Sequence, residues 1–211
     1  MSKNILLKNK KGMTLVEMLV ALVIFVLGML GFTMLASKSW KMNSFVMESG
    51  NATRKATQAL NETVKSLRKA RQADDGSFPI KAVAENSLTV YLDDDNDGKA
   101  ERVHYYLDSA NQLFKKGVTE PSNTVPITYP TDDQVVTTVA NYVVNDASRP
   151  VFEYYNGDYP IDTTNNPLVA PTPSEVKLVK IHFWVNIKPL TAPENVNLES
   201  FAELRNLNET N

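Results

Sequence analysis

The sequence predicts an α+β protein: one long N-terminal α-helix followed by, and packed on, an antiparallel β-sheet head. Two observations predict it. Between residues 14 and 73 there is no proline and helix formers dominate, first as an uncharged apolar run and then with apolar residues spaced by three and four. Beyond residue 76 the pattern changes to short alternating runs separated by clusters of Asp, Asn, Gly and Pro.

The averages bound the answer before any element is placed. A chain of 211 residues holds one main fold. With 43% hydrophobic and 22% charged residues it is neither collagen-like nor wholly disordered, and a formal net charge of −2 argues against a basic nucleic-acid binder, so no nucleic-acid partner is expected. The absence of cysteine excludes disulfides, thiolate metal sites and a cysteine nucleophile, and only two histidines are present. These averages conceal a segmental distribution of charge. Residues 1–11 carry four lysines and no acid, residues 12–37 carry only Glu17, and residues 38–72 hold eight Lys/Arg against two acids. Residues 74–175 then hold 17 acids against six bases.

The first element is a membrane helix. Met18 to Ser37 is a run of 20 residues without a charge, and at about 1.5 Å per residue it matches the roughly 30 Å hydrocarbon core of a bilayer. The lysines that precede it orient the N-terminus toward the cytoplasm, with the chain beyond about residue 40 outside. A cleaved signal peptide has a shorter apolar region, about 7 to 15 residues, and a small-x-small cleavage site; Leu35-Ala36-Ser37 is a poor one. Glu17 stands at the mouth of the apolar run. A carboxylate in hydrocarbon costs about 2.5–3.5 kcal/mol, so it needs either a partner or an interfacial position.

The second element extends the same helix as an amphipathic segment over residues 38–73. Ala52, Ala56, Ala59, Leu60, Val64 and Leu67 form one stripe to be buried, with charges opposite. An unbroken helix from Thr14 to Ala73 is expected, with Gly28, Gly31 and Gly50 as points of bending. Asp74-Asp75-Gly76-Ser77 and Pro79 end it.

The head begins with a hairpin, Ser87–Leu92 and Arg102–Leu107, joined by a turn containing Asp97-Gly98. A brief strand over Gln112–Lys116 follows, then a loop over residues 117–134. Val135–Val144 reads as strand or short helix and Val151–Tyr155 as strand, with a second loop over residues 156–174. Val176–Lys188 is the clearest strand, with Val179, Ile181, Phe183, Val185 and Ile187 on one face, and Phe201–Leu207 closes the chain as another.

The N-terminal context Lys10-Lys11-Gly12-Met13-Thr14-Leu15-Val16-Glu17, followed by about 20 apolar residues, resembles the processing site of type IV pilins and pseudopilins. That resemblance covers about 25 residues. It implies a pilin-like fold, removal of a leader of residues 1–12 by a prepilin peptidase, and N-methylation of the new terminus at Met13. The family most often has Phe at this position, and Met is an accepted variant. It further implies that Glu17, the fifth residue of the processed chain, acts in assembly by neutralising the amine of Met13 in its own chain or in a neighbour. Proline is absent from the apolar helix, unlike in many major pilins.

The remaining chemistry is sparse. Asp93, Asp95, Asp97 and Gly98 spell the first half of a calcium loop, D-x-D-x-D-G, where closely spaced carboxylates suit a hard cation. Position twelve of that loop is His104 rather than an acid, and the flanks are strands. A calcium site and a solvated acidic turn therefore both stand as readings, and no other cofactor is expected. Some relatives within the resembled family are calcium proteins, with sites near the end of the head that do not map onto these residues. His104 and His182 sit on strands without an H-E-x-x-H pattern and read as packing or surface residues. No G-x-S-x-G elbow or P-loop is present. Tyr105, Tyr106, Tyr154, Tyr155, Phe183 and Trp184 read as core and cross-strand packing.

The organisation expected is a leader over residues 1–12, a transmembrane and assembly helix over 13–37, an amphipathic helix over 38–73, and an extracytoplasmic β-rich head over 74–211. The resemblance implies a non-enzymatic filament subunit of a type IV pilus-like or type II secretion-like system. Within it, the chain is most similar to a minor pilin or J-type minor pseudopilin acting at filament initiation or the tip. Its implied partners are a prepilin peptidase, other pilin subunits and an inner-membrane assembly platform. The alternative is a signal-anchored extracellular adhesin, binding module or enzyme.

Overall fold

The computed structural model describes residues 12–187 and 195–204. Among the described residues a single helix, α1 (Leu15–Leu67), precedes eight strands: β1 (Ile80–Ala84), β2 (Ser87–Leu92), β3 (Glu101–Asp108), β4 (Leu113–Thr119), β5 (Val135–Asn141), β6 (Phe152–Tyr155), β7 (Leu178–Val185) and β8 (Val196–Glu203). All the strand pairs are antiparallel. The α+β class expected from the sequence is the one observed. The chain divides into two units, Met1–Met47 and Glu48–Asn211.

The described part of the first unit is the apolar stretch of α1. Its large side chains, among them Leu19, Ile24, Phe25, Phe32 and Leu35, are exposed. By length and composition this helix is able to cross a membrane. Gly28, Gly31 and Gly50 do not interrupt α1.

In the second unit, the helical residues 48–67 bury the stripe read from the sequence. Ala52, Ala56, Ala59, Leu60, Val64 and Leu67 are all inside, joined by Thr63, whose hydroxyl donates to the carbonyl of Ala59 at 2.8 Å. The helix ends at Leu67 and not at Ala73. Nothing in Arg68–Gln72 breaks a helix, so the cause is tertiary: the Arg71 N–H donates to the Tyr91 carbonyl at 2.9 Å, and Ala70 and Ala73 are buried in the head. Pairing with β2 competes with another helical turn and wins.

The head contains two sheets where one was expected. Strands β1 to β5 form a meander in chain order, and β6-β7-β8 form a second, three-stranded sheet. Backbone bonds link them, from Phe152 N–H to Glu85 O at 2.9 Å and from Val144 N–H to Trp184 O at 2.7 Å. Phe114 of β4 packs its ring 4.7 Å from Phe183 of β7 and 6.1 Å from Phe152 of β6. Both sheets and the stripe of α1 thus share one core.

Several boundaries differ from expectation for local reasons. Strand β1 was not foreseen; it is short and pairs with β2 through a bulge between Ile80 and Ala82. Strand β4 runs on to Thr119 through Gly117, and β5 is a strand ended at Tyr142, which has a φ of 61°. Strand β8 begins at Val196, five residues before the predicted Phe201, because its early residues pair along β7 to Val185. Lys188 and residues 205–207 of the predicted strands lie outside the described residues. On β7, Val179, Ile181, Phe183 and Val185 alternate inward as read.

Candidate functional site

At the N-terminal segment, Gly12 and Met13 are exposed ahead of α1. Thr14 and Glu17 form a reciprocal cap. The Glu17 Oε2 accepts the Thr14 N–H at 2.8 Å and the Thr14 hydroxyl at 2.9 Å, while the Glu17 N–H lies 3.3 Å from the Thr14 Oγ1. This is the capping-box arrangement that T-x-x-E spells, a signal present in the sequence and missed there. It satisfies helix donors that would otherwise be orphaned. Glu17 therefore already accepts hydrogen bonds from the residue that follows Met13.

The second candidate lies in the turn between β2 and β3. Residues Leu88, Val90 and Leu92 of β2 face Tyr105, Val103 and Glu101 of β3 across the inward side of the sheet. This alternation carries a carboxylate, Glu101, into the core-facing row at 1% exposure. Between the strands, Asn96 and Gly98 adopt φ values of 65° and 92° and fold the loop back on itself. Gly98 N–H donates to Asp93 Oδ2 at 3.1 Å, Asp97 N–H to Asp95 Oδ1 at 3.0 Å, and Asp94 N–H to Glu101 Oε2 at 2.6 Å. Lys69 and Arg71 hold the turn from outside, through Asn96 Oδ1 at 3.0 Å and the Gly98 carbonyl at 2.6 Å.

The result is that one carboxylate oxygen from each of Asp93, Asp95, Asp97 and Glu101 lies within 4.8 Å of the others. The three aspartates singled out in the sequence are brought together, and Glu101 is the member that sequence reasoning missed. It occupies position nine of the loop counted from Asp93, whereas the sequence pattern looks for its last acid at position twelve, which is His104. Asp94 turns away to pair with Lys116 at 2.6 Å. Burial pushes the Glu101 carboxyl up to about 7; the Asp94 amide opposes this, and the nearby Glu120 and Asp95 carboxylates add to it.

The third cluster lies on the outward face of the five-stranded sheet. Arg102 is buried and donates to the carbonyl oxygens of Pro130 and Thr131, to Thr119 Oγ1 at 2.8 Å and to Asp133 at 3.3 Å. Asp133 Oδ2 also lies 3.0 Å from His104 Nδ1, and His104 Nε2 lies 3.0 Å from Ser87 Oγ. Gly117, opposite His104 on β4, leaves the space that Asp133 fills. Ser87, His104 and Asp133 thus have the connectivity of an acyl-transfer triad, in which the carboxylate orients the imidazole and the imidazole takes the hydroxyl proton. They are scattered over 46 residues of sequence with no elbow motif, so only the strand pairing assembles them. His104 also stacks on Tyr106 at 4.7 Å. His182, by contrast, lies on β7 with Nε2 3.1 Å from Glu199 Oε2, an oxygen that Lys180 also meets at 3.2 Å.

The aromatic residues behave as read. Tyr105, Tyr154, Tyr155 and Phe183 are buried, and Trp184 lies under the Arg149 guanidinium at 5.1 Å.

No curated protein and no solved structure matches the chain. The prokaryotic N-terminal methylation motif matches residues 7–34, the stretch containing Gly12, Met13, the Thr14–Glu17 cap and most of the uncharged run. The N-terminal part of the chain thus carries the methylation motif of the type IV pilin and pseudopilin leader, and it opens into a helix long and apolar enough to cross a membrane.

Proposed function

We propose that this chain is a structural subunit of a type IV pilus-like or type II secretion-like filament, and within it a minor subunit that initiates the filament or caps its tip. The observation that carries the reading is the methylation motif at residues 7–34 leading directly into a helix whose large apolar side chains are exposed. Such a surface needs lipid before assembly and neighbouring helices after it. The absence of cysteine and the polar loops of the head favour a minor subunit over an abundant one.

In this reading the precursor enters the cytoplasmic membrane with its lysine-rich end inside and its head outside. Prepilin peptidase cuts after Gly12, and Met13 is methylated. The new amine is a cation one residue from Thr14, whose N–H already meets Glu17. Glu17 is thereby positioned to neutralise that charge within its own chain or in an adjacent subunit as helices leave lipid for the bundle on the assembly platform. Mass spectrometry of the chain recovered from cells with an active prepilin peptidase is expected to find a start at methylated Met13; an intact leader overturns the assignment. Glu17→Val is expected to insert into the membrane normally and be absent from sheared filaments. Counting the subunit against the most abundant pilin tests the minor role, since an equal or greater number contradicts it.

One observation favours a second reading, an anchored extracellular enzyme: the Ser87–His104–Asp133 chain. Acyl transfer at Ser87 also requires donors for the oxyanion. Labelling by a fluorophosphonate probe in the wild type and not in Ser87→Ala would favour the enzyme. Absence of labelling leaves the three residues as a clasp between the sheet and residues 130–133.

A further inference from the structure

We propose that the β2–β3 turn is a calcium site whose protein ligands are Asp93, Asp95, Asp97 and Glu101. The first ground is geometric. Calcium holds oxygen ligands at about 2.3–2.6 Å, so two oxygens on opposite sides of one ion stand about 5 Å apart. The four carboxylate oxygens of the turn, all within 4.8 Å of one another, fit around a single ion.

The second ground is independent of the clustering and concerns Glu101. Its side chain is almost wholly enclosed, at 1% exposure, and while Oε2 accepts the Asp94 amide, Oε1 has no hydrogen-bond partner. The inner oxygen of Asp93, Oδ1, is likewise buried without a partner. An enclosed carboxylate oxygen with nothing to bind is costly, and a strand position facing Leu92 would ordinarily take an apolar side chain. A cation shared with the three aspartates removes that cost.

The third ground is charge balance. Among the described residues, the basic groups at the turn are spent elsewhere: Lys69 on the Asn96 amide, Arg71 on the Gly98 carbonyl and Asp74, and Lys116 on Asp94. Lys99 approaches Asp97 only at 3.9 Å and from solvent. Four carboxylates converge with little protein cation among them, and Glu120 on the adjacent strand end adds to the negative field. The ligand type selects among metals. An all-oxygen set without histidine or thiolate suits a hard cation, and four protein carboxylates around one ion suit calcium better than magnesium, which retains most of its waters and demands an octahedron. The exposed flank, at Asp95 and Asp97, leaves room for water to complete the shell.

The full-length chain in detergent micelles, stripped with a chelator, is titrated with calcium chloride by calorimetry, and its thermal unfolding is followed with and without the ion. Saturable binding of one calcium and a rise in Tm are expected, with no comparable rise from magnesium at the same concentration. Glu101→Gln removes the buried charge, and Asp95→Asn alters only an exposed ligand. Each is expected to weaken binding by about tenfold or more, a difference of roughly 1.4 kcal/mol. If Glu101→Gln fails to fold, Asp95→Asn carries the test. No binding heat and no shift in Tm up to concentrations on the order of 10 mM, beyond the weakest extracellular sites, overturns the proposal. So does binding of unchanged affinity in every variant that folds, or an equal response to magnesium.

Discussion

Gly117 is the residue whose chemistry is least apparent from its neighbours in sequence. By sequence it opens the stretch 117–134, whose Pro, Thr, Ser and Asn content reads as a loop. In the structure it lies within β4, and a Cβ added there would overlap the Asp133 carboxylate. Gly117→Ala is therefore expected to displace Asp133 from Arg102 and His104 and to cost about 1–3 kcal/mol, read as a lowered urea midpoint. Combining it with Asp133→Ala is expected to recover part of the loss; full additivity would mean that the two residues do not meet. Glu101 shows the same limit of sequence reading: strand alternation places it inward, but only the folded turn brings one of its carboxylate oxygens within 4.8 Å of those of three aspartates. At Glu17 the opposite holds, because the T-x-x-E spacing by itself encodes the cap.

At the scale of elements, α1 was legible almost throughout, because its period and composition repeat over many residues and local errors average out. The buried stripe of residues 52–67 emerged position by position. Leu67, the last residue of the helix and fully buried, is expected to be the most sensitive of that stripe: Leu67→Ala should cost about 2–5 kcal/mol in chemical denaturation, whereas a change at exposed Lys65 should stay within about 0.5 kcal/mol. A loss below about 1 kcal/mol at Leu67 would show that the stripe is not packed as described. The helix end was misplaced by six residues because Arg68–Ala73 has good helix propensity, and its fate is decided by a hydrogen bond to β2. Strands β1 and β8 were missed or shifted for a related reason. A short strand is specified by its partner more than by its own sequence.

For the molecule as a whole, pH response follows from how two sheets share one interior. Burial on β7, reinforced by Lys180, holds His182 below its ordinary value, against the pull of Glu153 and Glu199. The folded state thus binds a proton at His182 less readily than the unfolded chain does. Its contribution to stability is full above the unfolded value of about 6.5 and is lost as the pH falls below it. Replacing His182 with Gln is expected to remove that acid-side decline between pH 7.5 and 5.5 in thermal unfolding; an unchanged decline would place its source elsewhere. Comparison with the variant is necessary because Glu101, held up to about 7, has the opposite slope over the same range and favours the folded state as pH falls.

What the sequence determined by itself was local or periodic: the basic leader, the uncharged run, the cap at Thr14 and Glu17, the amphipathic stripe, the first hairpin and the inward face of β7. These depend on spacing within a turn of helix or along one strand, and spacing is written directly in the residues. Tertiary structure alone decided the division of the head into two sheets, the end of α1 at Leu67, the enclosure of Glu101 and the meeting of Ser87, His104 and Asp133. Each of these rests on a contact between residues far apart in the chain, where pairing and burial outweigh the weak preferences of any single segment.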